Sequence, residues 1–167
     1  MSRMKNVLVS LSLVVVFAFT LVSDTDYRLP YKEQEFIKIE RDFGYGNTFY
    51  PVQGISRKFN KGVVFQLEQD AEIYSIQDGV VVELCDTCER SYYGNHVEIR
   101  HNDSITVRYY HLGKISTSLN KKVFQGEQIA VSGNSGYTTE NGLGIIVRLN
   151  DSIINPLSLL PKIENRN

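Results

Sequence analysis

The sequence predicts an all-β domain built as an antiparallel sheet, and three observations carry that expectation. Short apolar runs recur from about Tyr50 onward, spaced at roughly 8–12 residues and alternating with a period of about two. Turn-forming clusters separate them, such as Gln77-Asp78-Gly79, Asn102-Asp103 and Gly133-Asn134-Ser135-Gly136. No stretch after residue 30 keeps an apolar period of about 3.6 through successive turns.

The elements follow in chain order. Arg3 and Lys5 precede an unbroken run of apolar and small hydroxyl residues from Val7 to Val22. That run is short for a membrane span of about 20 residues and suits the apolar region of a signal peptide. Leu21 and Ser23 would occupy the specificity positions of a cut near Ser23, although Leu21 is larger than such sites prefer. Residues 1–23 are therefore read as a signal peptide or a signal anchor, and residues 7–22 would hold the chain to a membrane if uncut. No cysteine follows the run directly, which argues against a lipoprotein. The body is expected outside the cytoplasm, periplasmic or associated with the cell envelope.

Residues 24–48 are mixed and polar, a lead-in with one short strand at Phe36–Ile39. The main β domain is expected over 49–160. Its strands are placed at Gly62–Leu67, Ala71–Ile76, Gly79–Leu84, Asn95–His101, from Ile105 through Tyr109, at Gly126–Val131 and at Leu143–Leu149. Residues 161–167 form a polar tail. Gly79, Gly94, Gly126, Gly133 and Gly136 fall between apolar runs, where turns are expected to require positive φ.

Composition narrows the function. The 167 residues suit one domain, and 42% hydrophobic with 22% charged residues is ordinary for a globular core. A formal charge of -1 gives no basic footprint, so nucleic acid is set aside as a partner. Cys85 and Cys88 form a Cys-x-x-Cys pair that lacks two further ligands for a structural zinc. It follows a strand-like run rather than opening a helix. A small loop-stapling disulfide is expected, with free thiols and redox or metal chemistry as the alternatives.

Several stretches, in order, resemble the lysostaphin-type (LytM-like) zinc endopeptidases of bacterial cell walls. They are Ala71 to Val81, Tyr93-Gly94-Asn95-His96-Val97-Glu98-Ile99-Arg100-His101, Arg108-Tyr109-Tyr110-His111-Leu112, Val123 to Gly136, and Asn155-Pro156-Leu157. Tyr27 to Tyr31 also resembles an N-terminal strand of one branch. The resemblance covers roughly residues 27 to 160 and implies the family's β-core, a barrel-sandwich hybrid.

The resemblance also implies a zinc held by a His-x-x-x-Asp motif and a later His-x-His, with water in the fourth position as nucleophile. This chain departs from that set. Its three histidines are His96, His101 and His111, and none lies upstream of residue 96. By the resemblance Asn60 and Val64 fall at the first histidine and the aspartate; if the Tyr27 branch is the comparison, the histidine position shifts to near Tyr50 or Pro51 and Val64 still replaces the aspartate. Gly142 and Gly144 replace both histidines of His-x-His. Only His111 keeps a family active-site position, and two readings of it stay open: a groove histidine that bonds a bound peptide, or a satisfied histidine near a strand end. His96 and His101 are expected on the strand surface, pointing to opposite faces.

The family zinc is therefore expected to be absent. The resemblance implies a catalytically inactive domain acting as a binding, scaffold or regulatory protein of the envelope, with peptidoglycan or a cell-wall amidase as possible partner. Asn60, Tyr110 and His111 are its candidate groove residues. The alternative is an active zinc metalloendopeptidase that cleaves peptidoglycan cross-links through atypical ligands such as Asp70, Asp78 or Glu140. A carrier role on Lys61, Lys121 or Lys122 lacks the Met-Lys turn of related lipoyl and biotinyl domains.

Overall fold

The computed structural model describes residues 27–50 and 54–163, with backbone alone for 46–50 and 54–58. The expected signal segment lies outside the described residues. In chain order the strands are β1 Phe36–Arg41, β2 Gly44–Tyr50, β3 Gly54–Asn60, β4 Val63–Leu67, β5 Glu72–Tyr74 and β6 Gly79–Cys85. They continue with β7 Asn95–Arg100, β8 Ile105–Ile115, β9 Lys122–Val123, β10 Gln128–Ser132, β11 Gly142–Leu149 and β12 Ser152–Ile154. Short 3-10 turns at Glu33–Glu35 and Pro156–Ser158 are the helical elements among the described residues.

The main sheet is open and antiparallel, in the order β1-β4-β11-β8-β7-β6-β9. β12 pairs with β11, and β10 bridges β5 and the far half of β8. β2 and β3 form a separate hairpin. This is the all-β, antiparallel architecture that the alternation predicts.

Period-two patterning fixes the register of the central strands. Val63, Phe65 and Leu67 of β4 face the core with Leu143, Ile145 and Val147 of β11, and all six are at most 1% exposed. Leu143 lies opposite Phe65, Ile145 opposite Val63 and Tyr109, and Val147 opposite Val107. Val97 and Ile99 of β7 complete the rows. A slip of one residue would turn every one of these side chains to the other face. Tyr109 is fully buried, yet its hydroxyl accepts the Ile76 N–H at 3.1 Å, so no donor or acceptor is stranded there.

The segment read as a lead-in belongs to this core. β1 pairs with β4, Phe36 opposite Leu67 and Arg41 opposite Val64, with two register irregularities between. Tyr31 stacks on Phe36 at 5.7 Å and meets Phe65 at 5.2 Å between ring centroids. The boundary placed between residues 48 and 49 falls inside β2. The hairpin escapes sequence patterning because Gly44, Gly46, Asn47 and Gly54 break its alternation.

The expectation of positive φ holds at Gly94, Gly126 and Gly136 and fails at Gly79 and Gly133. Those two are needed for close approach instead. A Cβ at Gly79 would press on Ile99 and the Arg100 carbonyl, and one at Gly133 on the backbone of Leu112 and Gly113.

Replacing Tyr31 by Ala should cost about 3–5 kcal/mol, as for other buried aromatics. Chemical denaturation of the two proteins measures it, and a loss below about 1 kcal/mol would mean the N-terminal segment is not part of the folding unit.

Candidate functional site

The face of the sheet opposite the core carries Val64 and Gly144, two positions that the resemblance assigns to metal ligands. Backbone register lines up Val64 of β4, Gly144 of β11, Tyr110 of β8 and His96 of β7 in one cross-strand row. Ile146, Arg108 and Glu98 form the next row. Val64, Tyr110 and Ile146 make a second, smaller apolar cluster, with Tyr93 and Ile153 packed against it.

The Tyr110 ring lies across β11 over Gly144. A Cβ built at Gly144 would collide with the ring carbons themselves, and one at Gly142 with the Phe65 carbonyl. Tyr110 is 5% exposed, its ring meets Tyr93 at 5.2 Å, and burial raises its hydroxyl pKa. Apolar packing thus fills the place of the missing side chains.

His111 sits where β8 changes partners. Tyr110 pairs with β7 and β11, whereas Leu112 pairs with Asn95 of β7 and with β10, and Ile115 with β10. His111 is the extra residue of the resulting β-bulge, in a left-handed conformation at φ 63. For a residue with a Cβ that conformation costs about 1–3 kcal/mol and persists only where neighbours fix it. Here they do. The His111 N–H donates to the Tyr93 carbonyl at 2.9 Å. Nδ1 is 2.7 Å from the Ser135 carbonyl and therefore carries the proton. Nε2 accepts from Arg41 Nη2 at 3.0 Å. The ring is 1% exposed with both nitrogens engaged. Burial, and then the charge of Arg41, lower its pKa to about 3, against the pull of the Ser135 carbonyl. Both ring nitrogens are thus engaged within the chain.

The partners of His111 come from three places. Arg41 ends β1, and it also donates to the Tyr137 carbonyl at 3.3 Å. Ser135 is fixed by its hydroxyl, which donates to the Leu112 carbonyl at 2.7 Å and accepts the Asn95 N–H at 2.9 Å. The loop before β7 supplies Tyr93, and a Cys85–Cys88 disulfide closes its base with Cα atoms 5.8 Å apart. The Cys88 N–H donates to Asn95 Oδ1 at 3.0 Å, tying the loop to the same network. Arg41 was not singled out by sequence, because only the docking of β1 brings it to the site. Ser135 was visible only as part of a turn.

The other named residues are placed as follows. Tyr110 and His111 adjoin, ring centroids 4.6 Å apart. Asn60 ends β3, where its amide donates to the Asp42 carbonyl at 3.1 Å. His96 is buried rather than on the surface, 2.8 Å from the Gly94 carbonyl and 2.9 Å from Glu83 Oε1. Glu83 and Glu98 also hold Arg108, each at 2.7 Å, and Arg108 in turn covers the Tyr93 ring. His101 is likewise half-buried, its Nδ1 2.9 Å from the Asp78 carbonyl, and burial lowers its pKa. The surface expectation fails for His96, whose ring nitrogens are held by Gly94 and Glu83, while His101 keeps part of its surface exposed. Asp78 itself accepts the Gln125 N–H at 2.7 Å. Lys121 pairs with Glu127, and Lys122 covers the Phe124 ring.

Zinc requires three or four nitrogen, oxygen or sulfur donors in tetrahedral reach, at about 2.0–2.3 Å. This row offers two methyl groups, a glycine, a phenol ring and an imidazole already bonded at both nitrogens, so the residues do not fit the metal. Among the described residues no group of three or more His, Cys, Asp or Glu could hold an ion, Asp70, Asp78 and Glu140 included.

The geometry sets the titration of His111. Its folded-state pKa lies below that of the unfolded chain, so its contribution to stability is complete above pH 6.5 and is lost as pH falls toward about 3. Imidazole resonances followed by NMR should titrate near 3 and move upward in Arg41→Met. A native value at or above 6.5 would contradict the buried, Arg-capped ring.

Comparison with known proteins agrees with the motifs. The model of peptidase family M23 matches residues 58–156, well over half the chain. An uncharacterized metalloprotease of Buchnera aphidicola is 35% identical over 113 residues, 68% of this chain and 29% of that protein. The murein hydrolase activator NlpD of Escherichia coli is 30% identical over 109 residues, 65% of this chain and 28% of that protein. The chain thus spans under a third of either relative. The crystal structure of a zinc-containing peptidase from Vibrio cholerae superposes with a TM-score of 0.67 at 25% identity, covering 83% of this chain and 41% of that one. With the matching motifs, register and fold together, the chain belongs to peptidase family M23.

Proposed function

We propose that this chain is a non-hydrolysing member of its family, a binding or regulatory module of the bacterial cell envelope whose partner is peptidoglycan or a protein that acts on it. One observation carries the reading: at the row where the family places its zinc ligands, Val64 and the Tyr110 ring over Gly144 leave neither donors nor space. His111, the retained position, is neutral and bonded to Ser135 and Arg41. Resemblance to a murein hydrolase activator supports a role beside hydrolysis rather than in it. Resemblance to an uncharacterized metalloprotease and to a zinc-containing peptidase supports the competing reading, an active metalloendopeptidase. The same relatives support export to the periplasm or envelope, in keeping with the apolar run at residues 7–22.

Zinc content decides between the two. The purified full-length chain, incubated with zinc and desalted, should retain far less than a stoichiometric amount by elemental mass spectrometry. It should release no soluble fragments from purified peptidoglycan. Stoichiometric zinc with chelator-sensitive cleavage would make it an active peptidase.

Restoring ligand types should not restore the site. Val64→Asp with Gly144→His places a charge in an apolar cluster and a side chain inside the Tyr110 ring. Overpacking alone should cost about 1–3 kcal/mol. Thermal denaturation with and without zinc reads the result, and a zinc-dependent rise in Tm would show that Tyr110 yields easily.

A further inference from the structure

We propose that Arg41, beside His111, forms a binding site for a single carboxylate, so that this face recognises the free C-terminus of a peptide rather than a bond within one. The inference rests on the non-hydrolysing reading above and names the ligand class for the same face.

Arg41 is the cation of the site and is under-coordinated. Its side chain is 11% exposed, yet among the described residues it donates only from Nη2, to His111 Nε2 and the Tyr137 carbonyl. Its Nε is buried without an acceptor. His111 supplies a lone pair but no charge, because burial and Arg41 itself keep the ring neutral. Among the described residues, the carboxylate within ion-pair range is that of Glu40, and it does not close on the guanidinium. Its Oε1 is 4.0 Å from Arg41 Nε and accepts instead from Thr139 Oγ1 at 3.3 Å, while its Oε2 is buried without a partner.

A guanidinium with spare donors matches a carboxylate in shape and charge, and charge-assisted bonds of this kind are the strong ones. Glu40 biases the charge the site accepts: its carboxylate, 4.0 Å from Arg41 Nε, repels any anion there, and it opposes a dianionic phosphate more than a single carboxylate. The rim suits a short peptide. Tyr92 and Tyr137 are each 43% exposed, their rings 5.9 Å apart, and Tyr137 is the residue whose carbonyl holds Arg41. Arg41 also lies upstream of residues 58–156, so the family pattern does not prescribe it.

The test follows the side-chain nitrogen resonances of Arg41 and His111 in the full-length chain by NMR. N-acetyl-alanyl-alanine is titrated as the free acid and as its C-terminal amide, with inorganic phosphate as a third probe. The acid should shift both side chains and bind at least about tenfold more tightly than the amide. Glu40→Gln, which keeps Arg41 in place, should tighten the acid several-fold, and Arg41→Met should abolish the preference. An equal response to acid and amide, no response to either, phosphate binding as tightly as the acid, or no gain in Glu40→Gln would overturn the inference. Those failures in a zinc-free, inactive chain sink the carboxylate site alone, whereas stoichiometric zinc sinks the reading beneath it.

Discussion

Tyr110 can lie flat across β11 only because residue 144 has no side chain, and much of the outer face follows from that contact. A phenol ring at this point shields the backbone of β11, seats Val64 and Ile146 in one cluster, and gives Tyr93 a surface to meet edge-on. β11 is consequently buried on both faces from Gly142 to Val147, which is unusual for an antiparallel strand with solvent beyond it. The two positions constrain each other. Any side chain at 144 displaces the ring, and losing the ring would open a cavity over a glycine.

His111 stands beside the same contact. Tyr110 packs over Gly144, and β8 bulges at the next residue, where its pairing on that side passes from β11 to β10. The left-handed backbone of His111 is the cost of that bulge, and three hydrogen bonds to Tyr93, Ser135 and Arg41 offset it. An imidazole suits the place because it donates at one nitrogen and accepts at the other, bridging the turn after β10 to the end of β1. Its persistence therefore has a structural account that needs no metal. The disulfide fits the same logic, since it closes the loop that presents the Tyr93 carbonyl.

The core was legible because its strands obey one rule. Where β4, β7, β8 and β11 bury one face completely, alternation is strict and the sequence states the register almost outright. β2 and β3 obey no such rule, being a glycine-interrupted hairpin outside the main sheet, and β9 and β12 are too short to show a period. The site was legible by what it lacks: Val64, Gly142 and Gly144 stand out against a known motif. What replaced the motif was not. That His96 is buried depends on the loop that carries Tyr93, and that Arg41 reaches His111 depends on an irregular β1–β4 pairing. Neither leaves a periodic pattern: His96 is held by Gly94 and Glu83, and Arg41 and His111 lie 70 residues apart in sequence.

Arg41 gives this face a positive charge of a different kind from a metal ion. A bound zinc polarises water and can bring its pKa to about 7, because the ion offers a vacant coordination position. A guanidinium offers none. It is permanently charged, donates along fixed directions, and holds its own protons against any base the protein contains. Charge of this kind can orient an anion but cannot make a nucleophile of water. The neutral state of His111 belongs to the same arrangement, since a second cation 3.0 Å from Nη2 would repel Arg41, and a neutral ring instead accepts its hydrogen bond. A Tyr ring over Gly144 and an Arg beside His111 are thus the two features on which the proposed binding role rests.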